Sequence, residues 1–412
     1  MPDGNPLRDL PTDLRTGLPA AGLNLLYVLA AFPVLSETFV SNEIRAMRIA
    51  GHRVTPLALA PFDGPCQPQD EAFRDETLML ASQHAAGAVA ASARNPAGLA
   101  RALAFALRQR GIGAAALLLA GARVAQVARR VGATHIHAHF AHVAAATAIV
   151  GARLAGLSVS FIGHGYDVYG TPTDLAPKLA AADLAIATCD DMAADFRRQA
   201  PGARVAVVRC GIDPNRFRRP AGMVRRNRRL LAIGRLTEQK GYPVLLRALA
   251  LLPEASRPVV DAVGTGPLLD ELRAMALALG VSDSFRLLGA RDSDWIAEHG
   301  PHYLGFVAPY VICANGDRDT GPMAVKEAMG MELPVVGSAL MGVKEMVTPE
   351  SGRLVTPGDP AALAEALAWL ATLHEPERRL MGQHGRAHLL RGFTLAAQVA
   401  QLGSAFASCR GR

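Results

Sequence analysis

The chain has 412 residues, more than one ordinary domain holds, so two α/β domains are the natural expectation. Half of the residues are hydrophobic and 19% are charged, a composition that excludes a disordered chain. The net charge of +7 indicates either an arginine-rich surface without a partner or an anionic partner: nucleic acid, a membrane or a phosphorylated substrate. Because no RNA-binding signature or zinc-finger spacing is present, we expect no nucleic acid partner.

Cysteine spacing and hydropathy indicate where in the cell the protein is expected. The five cysteines are far apart and form no CxxC pair, so neither a disulfide framework nor a zinc site is predicted. The first twenty residues lack the apolar run of a signal peptide. The most apolar stretch, residues 112–128, is interrupted by Arg123 and is too short for a membrane span. We therefore expect a cytoplasmic protein.

The first half of the chain alternates between strand and helix patterns. Residues 24–29 (NLLYVL) form a short apolar run typical of a buried parallel strand, and residues 37–49 show helical spacing of apolar side chains. Helices rich in Ala, Leu and Arg are predicted within residues 71–131, and another at 144–154. Further strands are predicted at residues 53–59, 135–138, 159–163, 184–188 and 205–209. This alternation predicts βαβ units and a parallel sheet.

The pattern restarts after a polar, basic segment. We interpret residues 215–229 as a linker between a first domain, 1–214, and a second, 230–385, with a C-terminal helix in 386–412 that packs back on the first domain. Strands of the second domain are predicted at residues 230–233, 258–263, 285–288, 303–308 and 334–336. Two such domains predict a ligand site in a cleft, at the carboxyl ends of the strands.

A candidate phosphate-binding loop opens the second domain. Residues 234–241 (GRLTEQKG) follow a strand and lead into a helix, where backbone N–H groups and the helix dipole favour a phosphate. Arg235 and Lys240 can converge on one diphosphate. Gly264 and Gly266, after the next strand, predict a second tight turn on the same edge of the sheet. The alternative is an ordinary solvated turn that begins at Gly234.

Two acids flank the start of a helix in residues 319–329. Glu327 lies two turns into this segment, where its carboxylate can accept both hydroxyls of a ribose, and Asp319 can bind hydroxyls of a sugar. Between them, backbone N–H groups at the helix start can hold phosphate oxygens. The residues of this turn and helix start that we assign to donor binding are Gly321, Pro322, Met323, Ala324 and Val325. The alternative is one acid at a helix start and one solvated acid within the helix. We expect Lys326 on the helix surface.

These motifs together resemble a known family. The combination of GRLTEQKG, VGTGP, the acid-x7-Glu loop and LPVV resembles the retaining GT-B glycosyltransferases of the glycogen-synthase-like family 4 type. FPVLSETFVSNEI and NGDRDTGP look closer to a bacterial subgroup that includes colanic-acid and other exopolysaccharide glycosyltransferases. The resemblance extends over residues 24–359. It implies an α/β GT-B fold of two Rossmann-like, doubly wound domains that face a central cleft.

The resemblance also implies roles for particular residues. Arg235 and Lys240 match the residues that neutralise the donor diphosphate, and Asp319 and Glu327 match those that hold the donor sugar and the ribose. His164 in FIGHGYD matches the histidine that faces the donor sugar and the leaving phosphate. The segment of Ser36, Glu37 and Thr38 takes the place of a loop near the acceptor. Tyr166 and Asp167 are expected to orient His164, to touch the acceptor or to cap the turn.

The sequence departs from the family pattern at several positions. The first acid is Asp319 instead of Glu, one methylene shorter. Glu332 stands where the family usually has glycine, and Met341 to Glu345 (MGVKE) replaces the usual GG-x-P-E, so that Lys344 occupies the proline position. These loops flank the nucleotide, so base preference and activity can both be affected.

We predict no catalytic metal and no cofactor beyond the donor. His135, His137, His139 and His142 resemble a metal cluster, yet the family has HxHxH at this strand end without metal. Asp317 and Asp319 match the DxD motif of metal-dependent transferases. Here we expect Arg235 and Lys240 to supply the positive charge that a metal ion would supply there.

The expected function is transfer of a sugar, with retention, from a nucleotide-diphosphate sugar to a lipid-linked or polysaccharide precursor. A basic first domain can bring the enzyme to anionic lipid at the inner face of the cell membrane; its arginines include Arg101, Arg108, Arg110, Arg129 and Arg130. Two alternatives remain open: a transferase acting on a small soluble acceptor, and a nucleotide-sugar-binding protein that has lost catalysis.

Overall fold

A computed structural model describes residues 22–83, 95–223, 225 and 228–409. The chain divides into two compact units. Unit 1 comprises Met1–Cys210 together with Leu395–Arg412, and unit 2 comprises Gly211–Thr394. Each unit is built on one parallel sheet.

The sheet of unit 1 has seven strands in the order β3-β2-β1-β4-β5-β6-β7. Its strands are β1 Asn24–Leu29, β2 Arg53–Ala58, β3 Leu78–Met79, β4 His135–His139, β5 Ser158–Ile162, β6 Leu184–Ala187 and β7 Val205–Val207. Five consecutive residues of β1 are buried, which shows that both faces of this strand are covered. A strand covered on both faces has to be apolar throughout, and this explains the run NLLYVL.

The helices of unit 1 follow the predicted alternation. They are Thr38–Ile49, Ala72–Glu76, Pro96–Ala106, Ala114–Val131, Val143–Ala155, Leu175–Ala181, Asp190–Gln199 and Leu395–Ala407. Two of them end at glycines in the left-handed conformation, Gly132 and Gly156, which stop a helix at no steric cost. Within the described residues, none of the helices has the length and hydropathy needed to cross a membrane.

The sheet of unit 2 has six strands in the order β10-β9-β8-β11-β12-β13. Its strands are β8 Leu230–Ile233, β9 Val260–Val263, β10 Phe285–Gly289, β11 Gly305–Ala308, β12 Val335–Ser338 and β13 Gly352–Val355. Its helices are Tyr242–Leu251, Leu269–Ala278, Ser293–His299, Met323–Gly330, Val343–Met346, Pro360–Thr372 and Glu375–Gly392. The core packs the helix Tyr242–Leu251 and the helix Pro360–Thr372 against the central strands.

Both sheets reverse their strand order once, between β1 and β4 in unit 1 and between β8 and β11 in unit 2. Loops that leave the carboxyl ends of the strands diverge at such a point and leave room for a ligand. The predicted fold of two doubly wound α/β domains is therefore confirmed. Strands β3 and β13 were not predicted from the sequence.

The domain limits differ from those expected. Unit 2 begins at Gly211 instead of residue 230, because the segment predicted as a linker packs within this unit. In the described part of that segment, the buried Arg225 donates through Nε to the carbonyl of Pro301 at 3.3 Å. Position 386 falls inside the helix Glu375–Gly392 of unit 2, and only the helix Leu395–Ala407 belongs to unit 1.

Candidate active site

The loops after β8 and β9 are locked side by side. The amide of Gly234 donates to the carbonyl of Val263 at 3.0 Å, and the amide of Leu236 donates to the carbonyl of Thr265 at 2.9 Å. Gly264 has φ +148°, and a Cβ atom there would lie 1.9 Å from the carbonyl oxygen of Gly234. Glycine is therefore required at this position, and the two predicted tight turns form one continuous backbone surface.

Gly241 fixes the other end of the candidate phosphate loop. This residue has φ +66°, and a Cβ atom on it would lie 1.7 Å from the carbonyl oxygen of Pro309, which follows β11. The amide of Val311 donates to the carbonyl of Gln239 at 3.1 Å. The loop is thus fastened to the chain that leaves β11, and Lys240 is held at the point where the strand order reverses.

Lys240 and Asp319 are in direct contact. Lys240 Nζ lies 2.5 Å from Asp319 Oδ2, and the ammonium also sits 4.6 Å from the centre of the Tyr310 ring. Tyr310 is buried, which raises the pKa of its phenol well above the usual value, and the nearby Asp319 and Glu327 raise it further. Sequence reasoning missed Tyr310, although an aromatic residue just after β11 was the available signal.

Arg235, in the candidate phosphate loop, and Asp317, two residues before Asp319, differ in their surroundings. Arg235 is exposed, and no hydrogen bond or ion pair ties it to another described residue. Asp317 is buried and accepts the amide of Arg318 through Oδ1 at 2.8 Å. Burial raises the pKa of Asp317, and the nearby Arg235 acts in the opposite direction. Asp317 therefore shapes its own loop, whereas Asp319 is bound to Lys240.

Glu327 lies on the helix Met323–Gly330 and is half-buried. Among the described residues, no hydrogen bond or ion pair reaches its carboxylate. Burial raises the pKa of Glu327 to about 7, while the positive charges of Arg216, Lys326 and Lys240 act against that rise. An acceptor of this kind, partly covered and without a protein donor, is suited to ligand hydroxyls.

Lys326 is not on the helix surface, so that expectation was wrong. Its side chain is 1% exposed, and Nζ donates to the carbonyl of Gly321 at 3.0 Å. The ammonium braces the Gly-Pro turn from which the helix Met323–Gly330 starts. The turn and the helix N-terminus are therefore held in a fixed relation, which is what a preorganised phosphate-binding turn requires.

In unit 1, His164 follows β5 and is packed among aromatic rings. Its ring centre lies 4.6 Å from those of Phe39 and Phe140, and it stacks on His139 at 5.8 Å with an interplanar angle of 12°. Phe39 directly follows the segment 36–38. The structure thus brings the predicted histidine close to the predicted acceptor-side segment; within that segment Ser36 is exposed, and Glu37 and Thr38 are half-buried.

Asp167 and Tyr166 take different roles. Asp167 is buried and accepts the amides of Ala141 at 2.5 Å and His164 at 2.9 Å, so it ties the loop after β4 to the loop after β5. Burial raises the pKa of Asp167, and these two N–H groups oppose that rise. Both contacts are with backbone N–H groups, so Asp167 caps the turn and also fixes the backbone of His164. Tyr166 is 55% exposed and accessible to a ligand.

The histidines of β4 belong to a buried polar network. Glu43 Oε1 accepts Tyr27 Oη at 2.8 Å and lies 3.3 Å from His139 Nε2, while Glu43 Oε2 accepts Gln398 Nε2 at 2.7 Å. Ligand atoms of Glu43, His137 and His139 lie within 4.8 Å of one another, a spacing that a metal ion can use. Hydrogen bonds already engage both Glu43 oxygens. The expectation that catalysis needs no metal stays a prediction.

The chain has two α/β units, each built on a parallel sheet. Unit 2 brings a lysine, two acids and glycine turns together where its strand order reverses. This fold and site are those of the GT-B class of glycosyltransferases. The family model described as "Glycosyltransferase Family 4" matches residues 36–216, and that described as "Glycosyl transferases group 1" matches residues 227–372. The chain belongs to the GT4-type glycosyltransferases.

Individual relatives agree with this assignment. The putative colanic acid biosynthesis glycosyltransferase WcaL of Escherichia coli is 29% identical over 378 residues, covering 85% of this chain and 91% of the relative. The amylovoran biosynthesis glycosyltransferase AmsK of Erwinia amylovora is 30% identical over 174 residues, covering 42% of this chain and 43% of the relative. The crystal structure of Anabaena Alr3699/HepE in complex with UDP superposes with a TM-score of 0.71 at 18% identity, covering 94% of this chain and 100% of that one, and shows the shared fold.

Proposed function

We propose that this glycosyltransferase acts with retention and moves a sugar from a nucleotide-diphosphate sugar to a lipid-linked or polysaccharide precursor at the inner face of the cell membrane. The observation that supports the donor class is the grouping of Lys240, Asp319 and Glu327 beside the glycine turns at the carboxyl ends of β8 and β9. The names of the colanic-acid and amylovoran relatives support the acceptor class. The UDP complex of the Anabaena protein supports a nucleoside diphosphate as the donor core.

The reaction proceeds by substitution on one face of the donor sugar. The bond between the anomeric carbon and the β-phosphate oxygen breaks, the acceptor oxygen attacks from the same side, and the departing phosphate oxygen takes the acceptor proton. Arg235, Lys240 and the N–H groups at the start of the helix Met323–Gly330 stabilise the negative charge that develops on the phosphate. No carboxylate pair is assigned to a glycosidase-like double displacement. We assign His164 the role that the family resemblance implies, contact with the donor sugar and the leaving phosphate during the reaction.

Donor binding is tested first with the two cations. Arg235→Ala and Lys240→Ala each remove one charge-assisted contact and should weaken binding of the diphosphate by roughly 1.5–3 kcal/mol. Calorimetry with UDP, GDP and ADP and with their monophosphates measures this loss and identifies the base. Arg273→Ala, at an exposed position of the helix Leu269–Ala278, is the matched control. If both site variants bind diphosphates and monophosphates as the parent does, the loop assignment is wrong.

His164 is tested by turnover. His164→Ala should lower kcat by roughly 10²-fold or more, the scale of one positioned polar group, while donor affinity changes much less. Because the ring packs against Phe39 and Phe140, His164→Phe is the control that keeps an aromatic ring and removes the nitrogen atoms. Near-parent turnover in His164→Phe would assign the histidine to packing and end the catalytic proposal.

Turnover of the donor with different acceptors, measured with and without chelator, tests both the acceptor class and the absence of a catalytic metal. Transfer into a lipid extract supports the proposal, and transfer only to small polyols or sugar phosphates supports a soluble acceptor. Binding of the donor without transfer or slow hydrolysis identifies a protein without catalysis. Loss of all transfer in EDTA, restored by Mn²⁺ or Mg²⁺, would contradict the metal-independent mechanism.

A further inference from the structure

The segment that opens unit 2 packs on the helix that carries Glu327. Gly330 lies one turn after Glu327 on that helix, so the two residues share a face. A Cβ atom on Gly330 would lie 2.5 Å from the carbonyl oxygen of Phe217. Arg386 Nη1 donates to the carbonyl of Gly330 at 2.6 Å and to that of Phe217 at 3.2 Å, which clamps the two backbones together. Arg216, the residue before Phe217, is therefore held beside the helix face that carries Glu327.

A turn and an ion pair fix the position of Arg216. Asp213 accepts the amide of Asn215 through Oδ1 at 2.8 Å and the amide of Phe217 through its carbonyl at 3.3 Å, so the backbone is hydrogen-bonded on both sides of Arg216. Arg216 Nη2 donates to Oδ1 of Asp294 at 2.7 Å, in the first turn of the helix that follows β10. The guanidinium is therefore tethered to a second element of unit 2, although 31% of its side chain is exposed.

The charges that act on Glu327 come from several elements. Burial raises the pKa of Glu327 to about 7, and among the positive charges that oppose this rise Arg216 has the largest effect, followed by Lys326 and Lys240. The ammonium groups of both lysines are already bound to other oxygen atoms of unit 2. The buried phenol of Tyr310 adds no charge near neutral pH, because its pKa is raised well above the usual value. Arg216 is therefore the cation whose removal should change the ionisation of Glu327 most.

We propose that Arg216 is a positioning residue of the donor site, tethered by Asp294 so that its charge keeps the Glu327 carboxylate available as an acceptor for the donor ribose. A nearby positive charge favours the ionised form of a carboxyl group, and this form accepts hydroxyls with both oxygens. The inference rests on the proposed ribose contact of Glu327 and adds a residue that acts through it. A surface ion pair between Arg216 and Asp294 without this role would contribute little to stability and would leave the pH dependence of donor binding unchanged.

The experiment is calorimetry of the full chain with UDP-glucose and GDP-mannose as a function of pH. Removing the positive charge in Arg216→Gln raises the pKa of Glu327, so the rise in affinity should move about half a pH unit to higher pH. Affinity should fall about threefold at pH 6 and approach that of the parent at pH 8.5. Arg216→Lys keeps the charge and should stay close to the parent profile. The matched control is Arg273→Gln, which removes an exposed arginine paired with Asp270 in unit 2 and should not move the profile.

A double variant tests whether Arg216 acts through Glu327. In the Glu327→Gln background the titrating group is gone, so Arg216→Gln should change donor affinity no further at either pH. Equal losses of affinity at pH 6 and pH 8.5 in Arg216→Gln would overturn the proposal, because they would indicate a direct donor contact or damage to the fold. So would a profile that Arg216→Gln leaves in place, or a further loss of affinity in the double variant.

The ionisation of Glu327 in the free protein separates this inference from the proposed function. Carbon-13 NMR of labelled glutamate carboxyls follows it without a ligand, and the Glu327 signal is the one that Glu327→Gln removes. Its titration midpoint should rise about half a pH unit in Arg216→Gln. That rise in a chain that binds no nucleotide sugar would contradict the proposed function and leave the effect of Arg216 on Glu327 intact. A parent that binds donor more tightly as pH rises, with the same Glu327 midpoint in Arg216→Gln, would contradict the inference alone.

Discussion

The proposed contact between Glu327 and the donor ribose makes donor binding depend on pH. Its pKa is raised to about 7 by burial, so the carboxyl is largely neutral at pH 6 and largely ionised at pH 8. The ionised form accepts one ribose hydroxyl with each of its two oxygens, whereas in the neutral form one oxygen carries a proton and acts as a donor. Affinity for the nucleotide sugar should therefore rise about tenfold from pH 6 to pH 8, as the carboxyl loses its proton. Calorimetry with an intact nucleotide sugar measures this change in affinity. The diphosphate diester of the ligand does not titrate between pH 6 and pH 8, so it adds no pH dependence of its own.

Glu327→Gln is the control for this pH dependence. It keeps the shape of the side chain and removes the titrating group, so affinity should be low and nearly constant between pH 6 and pH 8. A parent protein whose affinity does not change with pH, or a Gln variant that keeps the tenfold rise, would show that Glu327 is not the ribose contact.

Part of the candidate site follows from the sequence and part does not. Local spacing was enough to select Lys240 and Glu327 as candidates, because both positions follow from a loop or helix start after a strand, and their roles stay predictions. The burial of Lys326 and the network around Glu43 depend on partners that packing supplies. Gln398, for example, reaches Glu43 from 355 positions away, a relation that no local pattern carries.

Two loops of unit 2 hold side chains in the left-handed conformation. Glu332 has φ +58° and Met341 has φ +47°, and these are positions where the resembled family usually has glycine. A Cβ atom in this region costs about 1–2 kcal/mol. Met341→Gly and Met341→Ala both remove the buried side chain, so the glycine variant should be the more stable of the two by about 1 kcal/mol in urea unfolding.

Met346 provides the matched comparison. It is buried like Met341 but ends the short helix Val343–Met346, where the backbone is right-handed. There the order should reverse, with Met346→Ala more stable than Met346→Gly by about 1 kcal/mol. The same order at both positions would mean that the left-handed backbone at Met341 carries no strain.

Strand prediction succeeded where strands are buried on both faces. Such strands read as continuous apolar runs, so β1 and β8 were placed to the residue. Strand β3 has only two residues, and β13 exposes Arg353 and Leu354 between its buried ends. Neither presents a run that can be told from a loop, and sequence reasoning missed both.

At the scale of the whole molecule, the sequence pattern predicted two α/β halves, as the structure shows. The segment between them was predicted to be a linker, whereas it belongs to unit 2. The basic run before β8 looked like a solvated linker. In the described part of that run, Arg219 lies within 4 Å of carboxylate oxygens of Glu332 and Glu375. Arg225 is buried, which lowers the pKa of its guanidinium to about 10. Arginine density alone does not distinguish a solvated segment from one that packs against distant acids.

Unit 1 is discontinuous, and this has a consequence for how the protein is made. The helix Leu395–Ala407 contributes Leu402 and Phe406 to the core that contains Leu25, and Gln398 satisfies the buried Glu43. A ribosome translating this message has to complete all of unit 2 before it releases the last segment of unit 1. During that interval the nascent unit 1 lacks part of its core and one partner of a buried carboxylate. The earlier half of the chain therefore matures last, and nascent chains that stall before residue 395 are the ones that most need chaperones.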